Sequence, residues 1–471
     1  MNALRDTGRK PVSTASLPGS CCRVREVDRS FDPVDLHAHD PDRYPHLLQS
    51  TAHGRFDILF AFPQDSLTLG ATGALSGPVE AIPADGDFLA ALDRWWSSSA
   101  ADGGQREDLP FTGGWFIYLG YELAAQVEPC LRLPPSTGVL PVAAATRFAS
   151  AIVRDHRRGR TVIVAEHGHD DLIALIERDI AGLPSLPQPP QGARFEHLTE
   201  APREDYLEAI EHIHRYIREG DVFQVNISRP WRVSAGKTVD AAALYRRLRR
   251  HNPAPYSGIA RWGDAAIISS SPERLVRRRG RTVETRPIAG TRPRSRDSKA
   301  DGDYSAELLA HPKERAEHVM LIDLERNDLG RICTPGSVRV DEFMALESYA
   351  HVHHIVSNVT GDLRAGVTPG QVLRAVFPGG TITGCPKVRC MEIIAELERE
   401  PRDAYTGSLG YLNHDGSMDM NILIRSMTVS ANDVLFRAGA GIVADSVPEA
   451  ELEETRAKAL GLLHALGADV I

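Results

Sequence analysis

Apolar and polar residues alternate in many short segments of this chain, a pattern typical of half-buried β-strands. Examples are FDILFAF (56–62), DVFQVNISRPW (221–231) and VLFRAGAGIV (434–443). In EDYLEAIEHIHRYIREG (204–220) the apolar residues recur at helical spacing instead, and Gly220 ends the pattern. Because strand-like segments often follow one another after residue 204, we expect an α+β fold with large, mostly antiparallel sheets.

A proline-rich stretch divides the chain in two. The segment LPSLPQPPQGAR (183–194) separates structured patterns on either side, so it predicts a linker over 183–203. We accordingly expect an N-terminal region at 31–182 and a second domain at 204–471. Residues 1–30 lack the hydrophobic segment of a signal peptide and are expected to form a disordered leader.

Composition narrows the class of protein. The 471 residues are 42% hydrophobic and 25% charged, which is typical of a globular protein with a large core. The net charge of -9 argues against a nucleic-acid-binding protein. No apolar run is long enough to cross a membrane. The six cysteines lack zinc-ligand spacing, so reduced thiols and a cytoplasmic location are expected.

Two Glu-x-x-Glu pairs lie in segments that are predicted to be helices. Glu314 and Glu317 belong to a helix near the middle of the chain, and Glu451 and Glu454 to one close to its C-terminus. Residues three apart share a helix face, so two facing pairs would present the carboxylate oxygens that Mg²⁺ prefers. Either pair alone is more often a solvated helix surface, and the neighbouring polar groups therefore decide between the two interpretations.

Several polar groups lie where a ligand would have to come close. The glycines of AGAG (438–441) weaken a strand unless a ligand or another backbone approaches it. The turn FPGGTITGCPK (377–387) is either a tight turn or a backbone anion site. Arg425 lies among apolar residues and needs a carboxylate, from a ligand or from a structural ion pair. Lys458 either joins this site or forms an ordinary helix salt bridge with Glu454. Together the groups suit a small polycarboxylate bound with a metal.

After residue 204 the chain closely resembles the chorismate-utilising enzymes, a family with anthranilate, aminodeoxychorismate, isochorismate and salicylate synthases. The resemblance implies an anthranilate synthase component I-like fold, with two large, mostly antiparallel sheets packed together and helices outside. The segments that carry it are EGDVFQVNISRPW (219–231), SSSPERLV (269–276), TRPIAGTRPR (285–294), KERAEHVMLIDLERNDLGRICTPGSV (313–338), HHIVSNVTG (353–361), FPGGTITGCPKVRCMEII (377–394), YTGSLGYL (405–412), NILIRS (421–426) and AGAGIVADSVPEAELEET (438–455).

The resemblance implies a role for each matching residue. Glu317 and Glu454 would bind Mg²⁺ directly, and Glu314 and Glu451 would hold metal-bound waters. His354 and Glu314 are expected to protonate the departing C4 hydroxyl, because hydroxide is a poor leaving group. Mg²⁺ would bind the ring carboxylate of chorismate, with Lys458, Gly290 and Thr291 beside it. The enolpyruvyl carboxylate would be held by Tyr405, Arg425 and backbone N–H groups at Gly439 and Gly441, and Gln224 is a further catalytic position.

Gln224 indicates which nucleophile the enzyme is expected to use. Isochorismate and salicylate synthases carry a lysine at this position that activates water, whereas the neutral amide of glutamine cannot take up a proton. We therefore expect ammonia as the nucleophile. In this family it comes from a separate glutamine amidotransferase subunit, so the resemblance implies such a partner.

The prediction of the product rests on a few sequence differences between the two kinds of ammonia-using synthase. Several segments resemble aminodeoxychorismate synthase, namely QVNIS, NPAPYS (252–257) and GSLGYL with MDMNILIRS. That enzyme serves p-aminobenzoate and folate synthesis. Ala289 favours anthranilate synthase, because some aminodeoxychorismate synthases carry a nucleophilic lysine there. We favour component I of aminodeoxychorismate synthase. The alternatives are anthranilate synthase component I and an inactive chorismate-binding relative.

Overall fold

A computed structural model describes residues 22–52, 54–99, 108–184, 195–294, 297–348 and 352–467. The proline-rich part of the predicted linker and residues 1–21 of the predicted leader lie outside these ranges. Residues 22–27 form a strand, so the predicted leader 1–30 is too long at its C-terminal end. The reason is that this segment pairs along its whole length with a strand at 160–166, a long-range contact that local sequence does not reveal.

Twenty-one strands are present in the described residues. They are β1 (Cys22–Val27), β2 (His46–Gln49), β3 (Phe56–Leu69), β4 (Leu75–Ser76), β5 (Gly114–Leu119), β6 (Ala143–Asp155), β7 (Arg160–Glu166), β8 (Phe195–Glu200), β9 (Gln224–Ala235), β10 (Tyr256–Trp262), β11 (Ala265–Ser271), β12 (Arg274–Arg279), β13 (Thr282–Arg286), β14 (Ile288–Pro293), β15 (Arg339–Ser348), β16 (Val352–Asp362), β17 (Gly384–Cys385), β18 (Ser408–Asn413), β19 (Met418–Asn421), β20 (Ser426–Ser430) and β21 (Asp433–Ile442).

Eleven α-helices accompany the strands in the same part of the chain. They are α1 (Pro33–His39), α2 (Phe88–Ser98), α3 (Ala124–Val127), α4 (Asp171–Gly182), α5 (Arg203–Glu219), α6 (Ala241–His251), α7 (Ser298–Ala310), α8 (Pro312–Gly330), α9 (Pro369–Val376), α10 (Lys387–Glu398) and α11 (Pro448–Leu466). The helix predicted at 204–220 is α5, and Gly220 ends it in the left-handed conformation. None of the described helices is long and apolar enough to span a membrane.

The strands form two arms that meet at the long strands β3 and β6. One arm runs from β5 through β18, β19, β12 and β13 to β16, which also pairs with β14 and β15. The other runs from β3 through β2, β10, β11, β20 and β21 to β9, which also pairs with β8 and β17. Strand β6 pairs with both β3 and β5 and so joins the arms.

The mixed α+β class and the large antiparallel sheet are confirmed, since every described pairing between named strands is antiparallel. The described strands belong to one 21-stranded network rather than to two separate sheets. The predicted regions 31–182 and 204–471 also share this network, because β2 pairs with β10 and β5 with β18. The domain division stays a prediction.

Two helices carry the predicted acidic pairs, and the sheet positions both. Helix α8 begins with a proline in its first turn and packs against β14 and β16. Helix α11 also begins with a proline and packs against β21, α5 and α6. Buried residues of α5, β9, α10, β21 and α11 form one apolar cluster, which fixes α11 against the β9–β21 ladder.

Candidate active site

Strand β21 approaches its neighbours closely at two glycines. A Cβ atom on Gly439 would lie 2.6 Å from the carbonyl oxygen of Ile227 and 2.8 Å from the hydroxyl of Tyr405. A Cβ atom on Gly441 would lie 2.0 Å from Nε2 of Gln224. Only glycine fits these distances, which explains the glycines inside a strand pattern. We call residues 438–442 the glycine strand.

The first acidic pair lies between this strand and β14. Nε2 of Gln224 donates a hydrogen bond to Oε1 of Glu317, at 3.0 Å. Glu314, one turn earlier on α8, has its Oε2 atom 2.8 Å from the position of a Cβ on Gly290. Gly290 has a φ of +66°, which favours glycine. The two carboxylates of α8 therefore connect the glycine strand to β14.

The second acidic pair lies on α11. Nζ of Lys458 forms a salt bridge of 2.6 Å with Glu454 and donates to the carbonyl of Gly439 at 2.9 Å. The helix salt bridge that the spacing allowed is thus present, and the ammonium also contacts the glycine strand. Glu451, one turn earlier than Glu454, is buried, with 9% of its surface exposed.

Arg425 lies near the charge of Glu454 but forms no salt bridge with a described carboxylate. Its Nη1 atom donates a hydrogen bond to the carbonyl oxygen of Lys458 at 2.7 Å. Within the described residues, the guanidinium of Arg425 forms no salt bridge. Burial lowers the pKa of Arg425 to about 10, because desolvation disfavours the charged form. The residue also adopts a φ of +53°. A strained backbone at a guanidinium without a salt bridge is typical of a functional site.

Tyr405 is held by a buried ion pair behind the site. The guanidinium of Arg402 lies 5.5 Å from the centre of its ring, and Nη2 of Arg402 donates to the carbonyl oxygen of Asn226 at 2.8 Å. Arg402 is paired with Glu398 at 2.6 Å, and both side chains are 1% exposed. Burial raises the pKa of Tyr405, so its phenol stays protonated and can donate to a carboxylate.

His354 is buried beside β14. Its Nδ1 atom lies 3.3 Å from the carbonyl oxygen of Gly290, and burial lowers its pKa to about 4. The imidazole is therefore neutral at pH 7. A carbonyl only accepts hydrogen bonds, so Nδ1 carries the proton and Nε2 is an acceptor. Thr291 pairs with His354 in the β14–β16 ladder, but the side chain of Thr291 lies outside the described part of the structure.

Sequence reasoning missed Glu273, which lies between β11 and β12. It is 4% exposed, and the hydroxyl of Thr381 donates to its Oε1 atom at 2.8 Å. Burial raises its pKa to about 8, and the nearby charge of Glu325 adds to the effect. Glu273 is consequently protonated at neutral pH. An acidic residue that follows the small and apolar segment AAIISSS and one proline could have indicated a buried carboxyl.

Most predicted site residues lie in two groups. The contacts above place Gln224, Glu317, Tyr405, Lys458, Gly439 and Gly441 around the glycine strand, and Gly290, Glu314 and His354 at β14. Glu314 and Glu317 join the groups because they share a face of α8. Across the described ranges, no three acidic, histidine or cysteine side chains lie close enough to one another to hold a metal as they stand.

An α+β fold that brings carboxylates, a guanidinium and an ammonium around one glycine strand is suited to bind a polycarboxylate. The chain belongs to the chorismate binding enzyme family, whose model matches residues 49–464. It is 46% identical to anthranilate synthase component 1 of Thermus thermophilus over 363 residues, covering 76% of this chain and 78% of that protein. It is 39% identical to aminodeoxychorismate synthase component 1 of Bacillus subtilis over 440 residues, covering 89% and 91%.

A solved structure agrees with the fold. The anthranilate synthase component I of Streptococcus pneumoniae superposes with a TM-score of 0.76 at 30% sequence identity. The superposition covers 87% of this chain and 92% of that one. The predicted family is confirmed, and the anthranilate synthase component I-like fold is confirmed with it.

Proposed function

We propose that this protein is the synthase subunit of an aminodeoxychorismate synthase. It would convert chorismate and ammonia to 4-amino-4-deoxychorismate, the precursor of p-aminobenzoate in folate synthesis. The relatives are named as component 1, which supports a second component as partner. We propose that this partner is a glutamine amidotransferase that delivers the ammonia, and that both act in the cytoplasm.

Arg425 and its surroundings would bind the enolpyruvyl carboxylate. The guanidinium forms no salt bridge with a described carboxylate, and the phenol of Tyr405 stays protonated. Backbone N–H groups of Gly439 and Gly441 are proposed to complete this pocket. Lys458 already donates to the carbonyl of Gly439, so its ammonium is within reach of the same strand.

The carboxylates of α8 and α11 fit Mg²⁺ in donor type, since this ion prefers oxygen ligands. Glu317 and Glu454 would hold it, with Glu314 and Glu451 behind bound waters. Bound Mg²⁺ would neutralise the ring carboxylate of chorismate. Glu454 is engaged by Lys458 at 2.6 Å, and this salt bridge would have to open for the metal to bind.

Departure of the C4 hydroxyl needs a proton. Glu273 is proposed as the donor, because its raised pKa of about 8 keeps it protonated at neutral pH. The earlier assignment of this role to His354 and Glu314 stays a prediction. A neutral His354 with Nε2 unprotonated is better suited to accept a proton than to give one.

The proposed product rests on the segments that resemble aminodeoxychorismate synthase, and Asn421 connects them. It joins the segments that resemble aminodeoxychorismate synthase: its Oδ1 atom accepts from the backbone N–H of Leu409 at 2.8 Å, and its Nδ2 atom donates to the carbonyl of Tyr256 at 3.3 Å. The next residue, Ile422, donates its backbone N–H to the carbonyl of Glu273. These segments therefore form one wall beside the proposed acid, which supports weighing them together.

Anthranilate synthase component I is the second candidate. Two observations favour it: the 46% identity to the Thermus thermophilus enzyme, and Ala289, which cannot form the covalent adduct of a lysine. Purified protein with chorismate, Mg²⁺ and an ammonium salt separates the two. We expect no fluorescent anthranilate, and p-aminobenzoate only after aminodeoxychorismate lyase is added. Direct formation of anthranilate would overturn the proposed product.

Ala289 gives a second test. We expect that incubation with chorismate and Mg²⁺ but without ammonia leaves the mass of the intact protein unchanged, because alanine offers no nucleophile. Intact-protein mass spectrometry measures this directly. A stable adduct would show that another side chain attacks the ring.

A further inference from the structure

Tyr405 closes a tight turn formed by residues 402–405, which we call the tyrosine turn. Its backbone N–H donates to the carbonyl oxygen of Arg402 at 2.9 Å. Asp403, inside the turn, has a φ of +48°, a left-handed conformation that is uncommon outside glycine. Such a backbone persists only where its surroundings hold it. The groups that hold the turn therefore decide where the phenol of Tyr405 lies beside the glycine strand.

A segment of the N-terminal region holds the tyrosine turn through its backbone. Strand β5 pairs with both β6 and β18, which fixes where the chain leaves the sheet at Gly120. Directly after this point, the N–H of Tyr121 donates to the carbonyl oxygen of Asp403 at 2.8 Å. Oε1 of Glu122 accepts a hydrogen bond from the N–H of Arg402, also at 2.8 Å. Two consecutive residues of the turn are thus bound by two consecutive residues that follow β5.

The carboxyl of Glu122 makes this contact at a cost in desolvation. Glu122 is buried, and burial raises the pKa of its carboxyl to about 7, with a further contribution from the charge of Asp403. An apolar side chain in the same place would avoid this cost. It would, however, leave the buried N–H of Arg402 without its acceptor. The turn that Glu122 holds therefore explains why a carboxyl is buried there.

The side chain of Arg402 extends the connection toward the site. Its guanidinium is paired with the carboxylate of Glu398 at 2.6 Å. It lies 4.9 Å from the ring centre of Tyr121 and 5.5 Å from the ring centre of Tyr405. Because Glu122 holds the backbone of the same residue, a shift of this backbone would also move the guanidinium against the ring of Tyr405.

We infer that Glu122 is a positioning residue for Tyr405. Its hydrogen bond to the N–H of Arg402 holds the tyrosine turn in the geometry that brings the phenol to the proposed carboxylate pocket. The hydroxyl of Tyr405 lies 2.8 Å from the position of a Cβ on Gly439, so a small shift of the turn changes its distance from the glycine strand. The N-terminal region thereby takes part in substrate binding through Tyr405. This step rests on the proposed role of Tyr405, and it holds for both candidate products.

Glu122→Ala tests the positioning role, because alanine removes the acceptor, whereas Glu122→Gln keeps an oxygen that can accept the same N–H. The KM for chorismate, kcat and Tm are measured at saturating ammonium and Mg²⁺, with Tyr405 intact and in the Tyr405→Phe background. With Tyr405 intact, we expect Glu122→Ala to raise the KM about tenfold, as for one lost hydrogen bond. In Tyr405→Phe the same change should raise it by less than about twofold, because the hydroxyl to be positioned is absent. Glu122→Gln should restore most of the affinity.

Asp93→Ala is the matched control. Asp93 is another carboxylate of the N-terminal region that accepts a backbone N–H from the second region, that of Gly370 at the start of α9, at 2.7 Å. Its loss should lower Tm and leave the KM for chorismate unchanged. Thr137→Val is a milder variant, which keeps the test informative if Glu122→Ala does not fold. The exposed Thr137 donates its hydroxyl to the carboxylate of Asp403 at 2.8 Å, and its loss should raise the KM about two- to fivefold.

Four outcomes separate the possibilities. A wild-type KM for chorismate in Glu122→Ala and Thr137→Val would overturn the inference. An equal rise in KM with and without the hydroxyl of Tyr405 would also overturn it, because Glu122 would then be only structural. A wild-type KM in Tyr405→Phe would remove Tyr405 from the carboxylate pocket, and the inference with it. Wild-type protein that consumes no chorismate with ammonium would instead refute the proposed function.

Discussion

Replacement of Glu273 by glutamine tests the proposed acid through both stability and turnover. In the folded protein the pKa of Glu273 is raised from 4.5 to about 8, chiefly by burial. Between these pH values the folded form keeps a proton that the unfolded chain has lost. The free energy of unfolding therefore falls as the pH rises through this window. Because a shift of one pKa unit corresponds to about 1.36 kcal/mol, the whole shift of Glu273 corresponds to about 5 kcal/mol of unfolding free energy.

Glutamine has nearly the shape of a protonated carboxyl and does not titrate. Its Oε1 atom can still accept the hydroxyl of Thr381, which donates to Glu273 at 2.8 Å. We expect the stability of Glu273→Gln relative to wild type to rise by about 3 kcal/mol between pH 5 and pH 7.5. Urea denaturation at four pH values measures the difference. Glu211→Gln, on an exposed position of α5, is the control and should show a flat difference.

Turnover gives the second readout on the same variant. A side chain that cannot release a proton should lower kcat by about 10²–10⁴-fold. The KM for chorismate should change little, because the hydrogen bond to Thr381 is kept. A stability difference that does not vary with pH would mean that Glu273 is ionised in the folded protein. Retained kcat would assign the proton to another group, such as His354 or Glu314.

Three further substitutions separate binding from stability. Arg425→Met should raise the KM for chorismate about 10–100-fold with little change in Tm, since the half-buried guanidinium forms no salt bridge with a described carboxylate; a large fall in Tm would mean that the guanidinium is structural. Gly441→Ala should lower Tm and raise the KM for chorismate, because its Cβ would push the buried amide of Gln224 away from Glu317 beside the proposed carboxylate pocket. Glu454→Gln should abolish Mg²⁺-dependent turnover while circular dichroism and Tm stay as in wild type, because its exposed salt bridge contributes about 0–1 kcal/mol; full activity would remove Glu454 from the metal site.

Local patterns predicted the elements that carry the site. The helix spacing identified α8 and α11, and the interior glycines of the AGAG segment indicated the close approach that Gly439 and Gly441 make. These features depend on residues a few positions apart, which the sequence displays directly. The salt bridge between Lys458 and Glu454 was visible for the same reason.

Long-range contacts were the part that the sequence did not display. The carboxyl of Glu273 accepts a hydrogen bond from Thr381, which lies 108 positions further along the chain. The apolar segment around Arg425 is not one continuous strand, because β19 ends at Asn421 and β20 begins at Ser426. The break is stabilised by tertiary hydrogen bonds, including one from the hydroxyl of Ser271 to the carbonyl of Ile422. Local propensity cannot anticipate such partners.

The salt bridge between Lys458 and Glu454 links the two acidic pairs to the substrate. Its side chains are 30% and 50% exposed, so the pair contributes little to stability and opens at low cost. A divalent cation at Glu454 would release the ammonium of Lys458 next to the carbonyl of Gly439, where the proposed carboxylate pocket lies. Metal binding would then add one positive charge to the site and free another for the substrate carboxylates. The affinities for Mg²⁺ and chorismate should therefore rise together, and Lys458→Met should weaken this coupling.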